Sequence, residues 1–136
     1  MNNKTLIKAA KRFVRHDLKY HVNSEAVLMC LRKSGYLVIF YEPEKGHCII
    51  TEYNLTELSK TVNAFTVRKG NNKFVFLRKG MLEEDLLYAL LHEAGHITLK
   101  HLSPDRIPIN KRLAEMEAET FAYTVLTHGS IFRMMR

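Results

Sequence analysis

Residues 65–98 read FTVRKGNNKFVFLRKGMLEEDLLYALLHEAGHIT, and the hydrophobic pattern changes its period within this stretch. The runs at residues 65–68 and 73–77 are rich in β-branched and aromatic residues, which is typical of strands. The Gly and Asn residues between them tolerate a positive φ, so the two runs predict a β-hairpin. After Gly80, three acidic residues and then leucines at helical spacing predict an α-helix that extends to about Leu102.

The predicted helix carries the pattern His-Glu-x-x-His at residues 92–96. His92 and His96 are four residues apart, so both imidazoles lie on one helix face, within reach of a single metal ion. Zinc favours such nitrogen ligands in a tetrahedral site. Glu93 follows the first histidine, where a carboxylate can take a proton from the attacking water of a hydrolysis. The motif therefore predicts a zinc-dependent hydrolase with Glu93 as its catalytic base.

The surroundings of the motif strengthen this prediction. Residues 88–91 are Tyr-Ala-Leu-Leu. Two histidines and a glutamate buried beside them would be costly without a metal or a hydrogen-bond network. Gly95 within a helix costs about 1 kcal/mol relative to alanine. A close approach by a neighbouring backbone would explain a glycine at this position.

A catalytic zinc ion needs a third protein ligand and keeps one position for water. In the metzincin class of peptidases, a glycine and a further histidine follow the motif at fixed spacing. Leu99 and Leu102 stand at those positions, so this class is excluded. His101 lies off the ligand face of a continuous helix, so we expect it in a supporting or solvated position.

The last predicted helix, residues 111–127, offers three acids as the third ligand: Glu115, Glu117 and Glu119. Measured from the centre of the apolar stripe, Glu115 and Glu117 both lie at roughly 80°, and Glu119 lies nearer 115°. Helical spacing thus disfavours Glu119 and leaves the other two open. Gly129 is expected to end this helix.

The rest of the chain predicts one continuous α+β domain, residues 1–136, with a sheet of three to four strands. The remaining predicted elements are an amphipathic helix at residues 4–19, a helix capped by Ser24 and ended by Gly35, a buried strand at residues 36–41 and a strand at residues 47–53. Residues 54–62 can begin a short helix instead.

The chain has 136 residues and a formal net charge of +7. The first predicted helix carries a basic stripe, which is expected to be a solvated face, with docking to DNA or an acidic partner as the alternative. Cys30 and Cys48 lack the spacing of a zinc knuckle and are expected to be reduced, buried thiols. From the pattern of the sequence we expect neither a signal peptide nor a membrane-spanning run, and hence a cytoplasmic location.

Two motifs, HEAGH at residues 92–96 and EAETFA at residues 117–122, resemble the ImmA/IrrE family of small zinc metallopeptidases. That family combines a His-Glu-x-Gly-His helix, preceded by strands, with a later helix that reads Glu-Ala-Asn-x-Phe-Ala. The likeness extends over the order of elements from residue 36 to residue 126. It implies a zincin-like fold, one Zn²⁺ ion and Glu117 as the third ligand. Glu119 stands where the family has Asn or Asp.

The resemblance also implies a partner. Family members encoded on phages or mobile elements cut or inactivate a helix-turn-helix repressor, so the expected substrate is a peptide bond in such a repressor. Zinc peptidases usually bind substrate as an added strand, and residues 73–77 are the expected sheet edge. Tyr123 and His128 are the candidates for stabilising the oxyanion.

Two alternatives to a peptidase stay open. In the first, a zinc-containing protein inactivates a repressor by binding it without cleavage. In the second, a DNA-associated factor uses the basic first helix, and its affinity for DNA would fall steeply with salt.

Overall fold

The computed structural model describes residues 2–102 and 111–134, which form six α-helices and three β-strands. The helices are α1 (Asn3–Arg12), α2 (Ser24–Lys33), α3 (Cys48–Glu52), α4 (Thr56–Thr61), α5 (Glu83–Thr98) and α6 (Lys111–Met134). The strands are β1 (Leu37–Tyr41), β2 (Ala64–Lys69) and β3 (Asn72–Arg78). The predicted α+β class is confirmed. Within the described residues, no helix has both the length and the apolarity needed to cross a membrane.

The predicted β-hairpin is confirmed as β2 and β3. Gly70 opens its two-residue turn with a φ of 60°, a conformation that glycine adopts without steric cost. β2 pairs antiparallel with one side of β3, and β1 pairs parallel with the other side. The strand order is thus β1-β3-β2. The prediction that residues 73–77 form the open edge is therefore wrong, because the crossover from β1 makes β3 the central strand.

β1 confirms the strand predicted at residues 36–41, but the expectation that it is buried is wrong. It lies at one edge of the sheet, with Leu37 56% exposed and Phe40 37% exposed. Tyr41 is buried, and its hydroxyl lies 3.0 Å from the carbonyl oxygen of Ser59 and 2.9 Å from that of Val62. This contact joins the end of β1 to α4.

The two faces of the sheet pack against different helices. On one face, Val75 and Leu77 belong to the main core, together with buried residues of α1, α2, α5 and α6. On the other face, Phe65 and Phe76 stack with ring centroids 4.8 Å apart, in a second cluster that includes α3 and α4. Because side chains alternate along a strand, the even-numbered residues of β2 share the face of α5.

Residues 47–53, predicted as a strand, form α3 instead. His47 caps this helix by accepting a hydrogen bond from the backbone N–H of Ile49 at 3.2 Å. Ile50 is buried in the second cluster, beneath the sheet. Packing of this one side chain overrides the strand propensity of its β-branched neighbours. The short helix anticipated within residues 54–62 is confirmed as α4.

Helix boundaries differ from the predicted ones at several points. α1 continues through a π-helical turn (Phe13–Asp17). The helical segment therefore ends at residue 17, two residues before the predicted end. The side chain of Asn23, not Ser24, caps α2 by accepting the backbone N–H of Ala26 at 2.8 Å. α5 ends at Thr98, before the predicted end, because the chain then turns through residue 100 with a φ of 60°.

The close approach expected at Gly95 is confirmed. A Cβ atom on Gly95 would lie 3.1 Å from Cδ1 of Phe121 and 3.3 Å from the backbone of Ala118. Phe121 is fully buried and also meets the ring of Phe13, with centroids 5.4 Å apart. α6 is therefore held between α1 and the motif-bearing α5, which fixes which of its acids face the histidines.

Gly129 does not end α6, which continues to Met134. A Cβ atom on Gly129 would lie 2.5 Å from Cγ2 of Val22. This glycine therefore permits close packing against the segment between α1 and α2, and the prediction that it stops the helix is wrong.

We expect Gly95→Ala to weaken zinc binding, because the added methyl group pushes α6 away from the histidines of α5. The gain in helix propensity, about 1 kcal/mol, offsets part of the packing cost. Gly129→Ala is the matched control: its methyl group meets the stiff Val22 side chain, so it lowers the melting temperature but leaves zinc affinity unchanged. Zinc titration and thermal unfolding of both variants measure this, and equal zinc affinity in the two would contradict it.

Candidate metal centre

Two histidine rings on α5 point at one carboxylate on α6. His92 Nε2 lies 2.8 Å from Glu115 Oε2, and His96 Nε2 lies 3.2 Å from Glu115 Oε1. One ligand atom from each of these three residues lies within 4.8 Å of the other two. Around a zinc ion with bonds of about 2.0–2.1 Å, tetrahedral ligand atoms are about 3.3 Å apart. The three side chains are therefore close enough to one another to hold one ion.

The group lies where the core meets solvent. The side chains of His92 and His96 are 18% and 12% exposed, whereas that of Glu115 is 49% exposed. Burial lowers the pKa of His96 to about 4 in spite of the nearby Glu115 carboxylate. The imidazole is thus neutral at neutral pH, which is the form that binds a metal. The open side at Glu115 leaves room for a further ligand, as a catalytic metal requires.

Glu117 contacts a different histidine. His101 Nε2 lies 2.8 Å from Glu117 Oε1, and His101 Nδ1 lies 2.8 Å from His96 Nδ1. The side chains of His101 and Glu117 are only 3% and 5% exposed. The three residues form a buried hydrogen-bonded chain behind His96, with His101 in the supporting position that its spacing suggested. Glu117 as third ligand stays a prediction, and the geometry favours Glu115.

The charge of the Glu117 carboxylate bears on which ring nitrogens of His101 and His96 carry protons. Burial acts to raise the pKa of Glu117, but the hydrogen bond with His101 and nearby positive charge hold it below its ordinary value. The ionised carboxylate only accepts, so a neutral His101 would carry its proton on Nε2 and accept at Nδ1. With His101 assigned in this way, His96 donates from Nδ1 and keeps a lone pair on its Nε2. This is the tautomer that a metal ligand needs.

That tautomer makes the contact between His96 and Glu115 informative. In that tautomer a lone pair on His96 Nε2 would face Glu115 Oε1, 3.2 Å away, and two acceptors at this distance repel each other. Burial acts to raise the pKa of Glu115, yet the hydrogen bond with His92 and nearby positive charge, which includes that of Lys111, hold it below its ordinary value. A cation between the imidazole and the carboxylate removes the repulsion. The donor set thus fits a divalent metal.

Glu93 lies beside the histidine pair but is buried. It is 5% exposed, and its Oε1 accepts a hydrogen bond from the hydroxyl of Thr66 at 2.7 Å. Burial raises the pKa of Glu93 to about 7, while the Thr66 hydrogen bond opposes this. A carboxylate with a pKa near the working pH is well suited to accept and return a proton. β2 supplies the threonine, so the sheet edge and the motif helix meet at this residue.

We expect Glu93→Gln to stabilise the metal-free protein at alkaline pH. Because the folded-state pKa is raised from 4.5 to about 7, folding binds a proton in this window, and stability falls as pH rises through it. The shift corresponds to about 3 kcal/mol. The lowered pKa of His96 changes stability with pH in the opposite direction. It does so in wild type and in the variant alike, so it cancels from the difference between their free energies of unfolding. Urea unfolding should show a difference near zero at about pH 4 and about 3 kcal/mol at about pH 8, and a constant difference would contradict this.

The other sequence candidates lie farther from the three ligand atoms. Tyr123 is 55% exposed, and its ring meets that of Tyr88 at 5.4 Å, which in turn meets His92 at 5.9 Å. His128 is partly buried more than two helical turns beyond Glu119, which is exposed. Neither candidate for oxyanion stabilisation contacts the group directly.

Sequence reasoning missed the role of Thr66 and the full role of His101. Thr66 is an unremarkable strand residue, and only the pairing of β2 at the sheet edge brings it to Glu93. His101 reaches His96 because the helix stops and the chain turns back, so the backbone N–H of His101 also donates to the carbonyl of His96 at 2.9 Å. A strand next to a motif helix, with alternate polar residues, is the signal that could have identified Thr66.

The centre therefore combines a His₂-carboxylate donor set, a buried carboxylate beside it and a hydrogen-bonded chain behind one histidine. His₂Glu is a donor set used by catalytic zinc sites in peptidases. Comparison with known proteins gave no relative: no family model, curated protein or solved structure matches the chain.

Proposed function

We propose that this protein is a zinc-dependent peptidase that hydrolyses a peptide bond in a protein partner. The observation that carries the proposal is the convergence of His92, His96 and Glu115 on one point, next to the buried carboxylate of Glu93. A structural zinc site is closed by four protein ligands, whereas among residues 2–102 and 111–134 this group offers three, with the Glu115 side chain half exposed. A buried base beside an open metal position is the arrangement that hydrolysis requires.

His92, His96 and Glu115 would hold the ion. When bound, zinc supplies Lewis-acid chemistry, which polarises the scissile carbonyl and makes an attacking water more acidic. Glu117 and His101 fix the tautomer and the ring orientation of His96. The protein thus contributes ligands, an oriented second layer and an opening towards solvent.

Glu93 is the proposed general base. Thr66 holds its Oε1, and the second carboxylate oxygen takes the proton from the attacking water and returns it to the leaving amine. Burial keeps the proton affinity of Glu93 high enough for this exchange near neutral pH. Thr66 positions the base and makes no contact with the ion in this scheme.

We propose that substrate binds along the free side of β2, which pairs with no strand within residues 2–102 and 111–134. In a two-residue hairpin, the pair Lys69 and Asn72 is hydrogen-bonded, so the next pair is not, and the pattern alternates. The N–H and C=O groups of Thr66 and Arg68 therefore point away from β3, towards the open edge. An extended peptide that pairs there lies beside Glu93.

The resemblance to the ImmA/IrrE family supports a helix-turn-helix repressor as the protein partner. Extended pairing along β2 requires a flexible segment or linker in that partner, because a folded helix cannot add to a sheet. The alternative of binding without cleavage uses the same edge and differs only in the fate of the peptide bond.

The decisive experiment incubates the purified protein, with and without zinc, with a pool of peptides and with an isolated repressor from the same genome. We expect new peptide ends that require zinc and disappear with a chelator. Mass spectrometry identifies the ends, and gel filtration detects complexes. An intact repressor held in a stable complex, with no cleavage of any peptide, would replace the peptidase by a binding protein.

A further inference from the structure

A cavity of about 320 Å³ lies between the tip of the hairpin and the ends of α2 and α5. Three cationic side chains line it: Arg68 from β2, Lys73 from β3 and Lys100 from the turn after α5. Tyr36 and Ile97 form part of its wall. This basic pocket is separate from the three proposed metal ligands, although it shares α5 and β2 with them.

The cations of the basic pocket face one another without a counter-charge. Arg68 and Lys73 are direct partners across the two antiparallel strands, and like charges in that arrangement destabilise a hairpin. Lys73 lies over the ring of Tyr36, with its Nζ 5.6 Å from the centroid. Among residues 2–102 and 111–134, no carboxylate forms an ion pair with Arg68, Lys73 or Lys100. The pocket therefore holds three positive charges at a cost that an anion would offset.

Helix ends do not account for these cations. Basic residues often accompany the last carbonyl groups of a helix. At the end of α2, however, the carbonyls of residues 30–32 already accept backbone N–H groups, and the same holds for residues 95–97 in α5. With those acceptors satisfied, an external anion is the better partner for the basic pocket.

The position of the basic pocket relative to Glu93 matches the geometry of an extended peptide. Thr66 touches Glu93, and Arg68 lies two residues farther along the same face of β2, a step of about 7 Å. Ile97 lies four residues after Glu93 on α5, a rise of about 6 Å. Residues two apart in a strand paired with β2 would likewise be about 7 Å apart on one face.

We propose that the basic pocket binds an acidic side chain of the peptide that pairs with β2, about two residues from the bond at Glu93. This inference rests on the proposed function, because it assigns a substrate class to the same edge. A carboxylate fits a cluster of one guanidinium and two ammonium groups, and charge-assisted hydrogen bonds make such contacts strong. The preferred substrates are thus acidic segments with Asp or Glu at one fixed position.

The test measures binding separately from cleavage. The zinc-loaded Glu93→Gln protein is titrated with fluorescent, amidated ten-residue peptides in which one Glu is moved along an otherwise uncharged sequence, and with matched Gln peptides. At one position, we expect the Glu peptide to bind about tenfold more tightly than its Gln partner. Arg68→Gln should bring the ratio of the two affinities, Glu peptide to Gln peptide, close to one.

Lys69→Gln is the matched control, because it removes the same charge from the neighbouring residue on the opposite face of β2, where Lys69 lies over Tyr53. It should leave the ratio unchanged. Arg68→Gln should also raise the melting temperature of the free protein by about 1–3 °C, since it relieves the like-charge pair. If Arg68 only stabilised the fold, Arg68→Gln would lower the melting temperature instead.

Three results overturn the inference: equal affinity for Glu and Gln peptides at every position, an equal effect of Lys69→Gln, or a labelled oligonucleotide whose binding alone depends on Arg68. The last result would assign the pocket to phosphate groups. Cleavage of peptides without any preference for acids would remove the inference and leave the proposed function intact. A preference for Glu peptides in binding, without any cleavage, would support the acidic-side-chain inference and remove the proposed peptidase function.

Discussion

Glu115→Gln should remove the metal, whereas Glu117→Gln should retain it with weakened affinity. Glu115 lies within 2.8 and 3.2 Å of the two histidine Nε2 atoms, so its replacement deletes a proposed ligand. Changes to outer-shell partners typically cost about 10–100-fold in metal affinity, and we expect a larger loss at Glu115. A neutral amide oxygen is also a poor ligand for zinc compared with a carboxylate.

Glu117→Gln tests the hydrogen-bonded chain. The amide oxygen can still accept the proton of His101 Nε2, so the orientation of His96 survives in weakened form. Loss of the carboxylate charge lowers the basicity of the chain, and zinc affinity should fall by no more than about 100-fold. Nitrogen-15 chemical shifts of His96 report whether Nδ1 still carries the proton in the metal-free protein.

The measurement is zinc content after dialysis, together with competition against a chelator of known affinity, for wild type and both variants. Glu119→Gln is the matched control, because it makes the same substitution at an exposed acid of the same helix. Zinc that survives Glu115→Gln but not Glu117→Gln would establish Glu117 as the ligand, as the family resemblance implies.

The motif-bearing helix α5 could be predicted because its signal is local. His92 and His96 need only a helix to share a face, and the hairpin before it is defined by its own turn. The choice between Glu115 and Glu117 is not local. Both acids lie at similar angles from the apolar stripe of α6, and the rotation of that helix is fixed by packing against the bare backbone of Gly95.

The sheet shows a second limit of sequence reasoning. β3 directly precedes the motif helix in sequence, yet it is not an edge strand. β1 joins the sheet through a crossover, pairs with β3 and makes it the central strand. Likewise, residues 47–53 are rich in β-branched side chains, yet burial of Ile50 beneath the sheet selects a helix. Contacts with residues distant in sequence decide both the strand order and the helical state of residues 47–53. The hydrophobic periodicity of a segment contains no information about such contacts.

Glu93→Gln should abolish peptide hydrolysis and keep the metal. Glutamine cannot accept a proton, and loss of a positioned general base typically costs about 10²–10⁴-fold in rate. Its amide is close in size to the carboxylate, and it can still accept the hydrogen bond from Thr66, so the surroundings should persist. The gain in stability expected at alkaline pH, once measured, would exclude unfolding as the cause of lost activity.

The assay compares kcat and KM for one zinc-dependent cleavage in wild type, Glu93→Gln and Glu84→Gln. Glu84 is an exposed acid in the first turn of the same helix, so Glu84→Gln changes the charge of α5 without touching the base. We expect a large fall in kcat with an unchanged KM for Glu93→Gln and wild-type kinetics for Glu84→Gln. Full activity in zinc-loaded Glu93→Gln would remove Glu93 as the base. Because the ligands would be intact, the proton would then have to leave by another route. Tyr88, whose ring meets that of His92, and Tyr123, whose ring meets that of Tyr88, are the candidates.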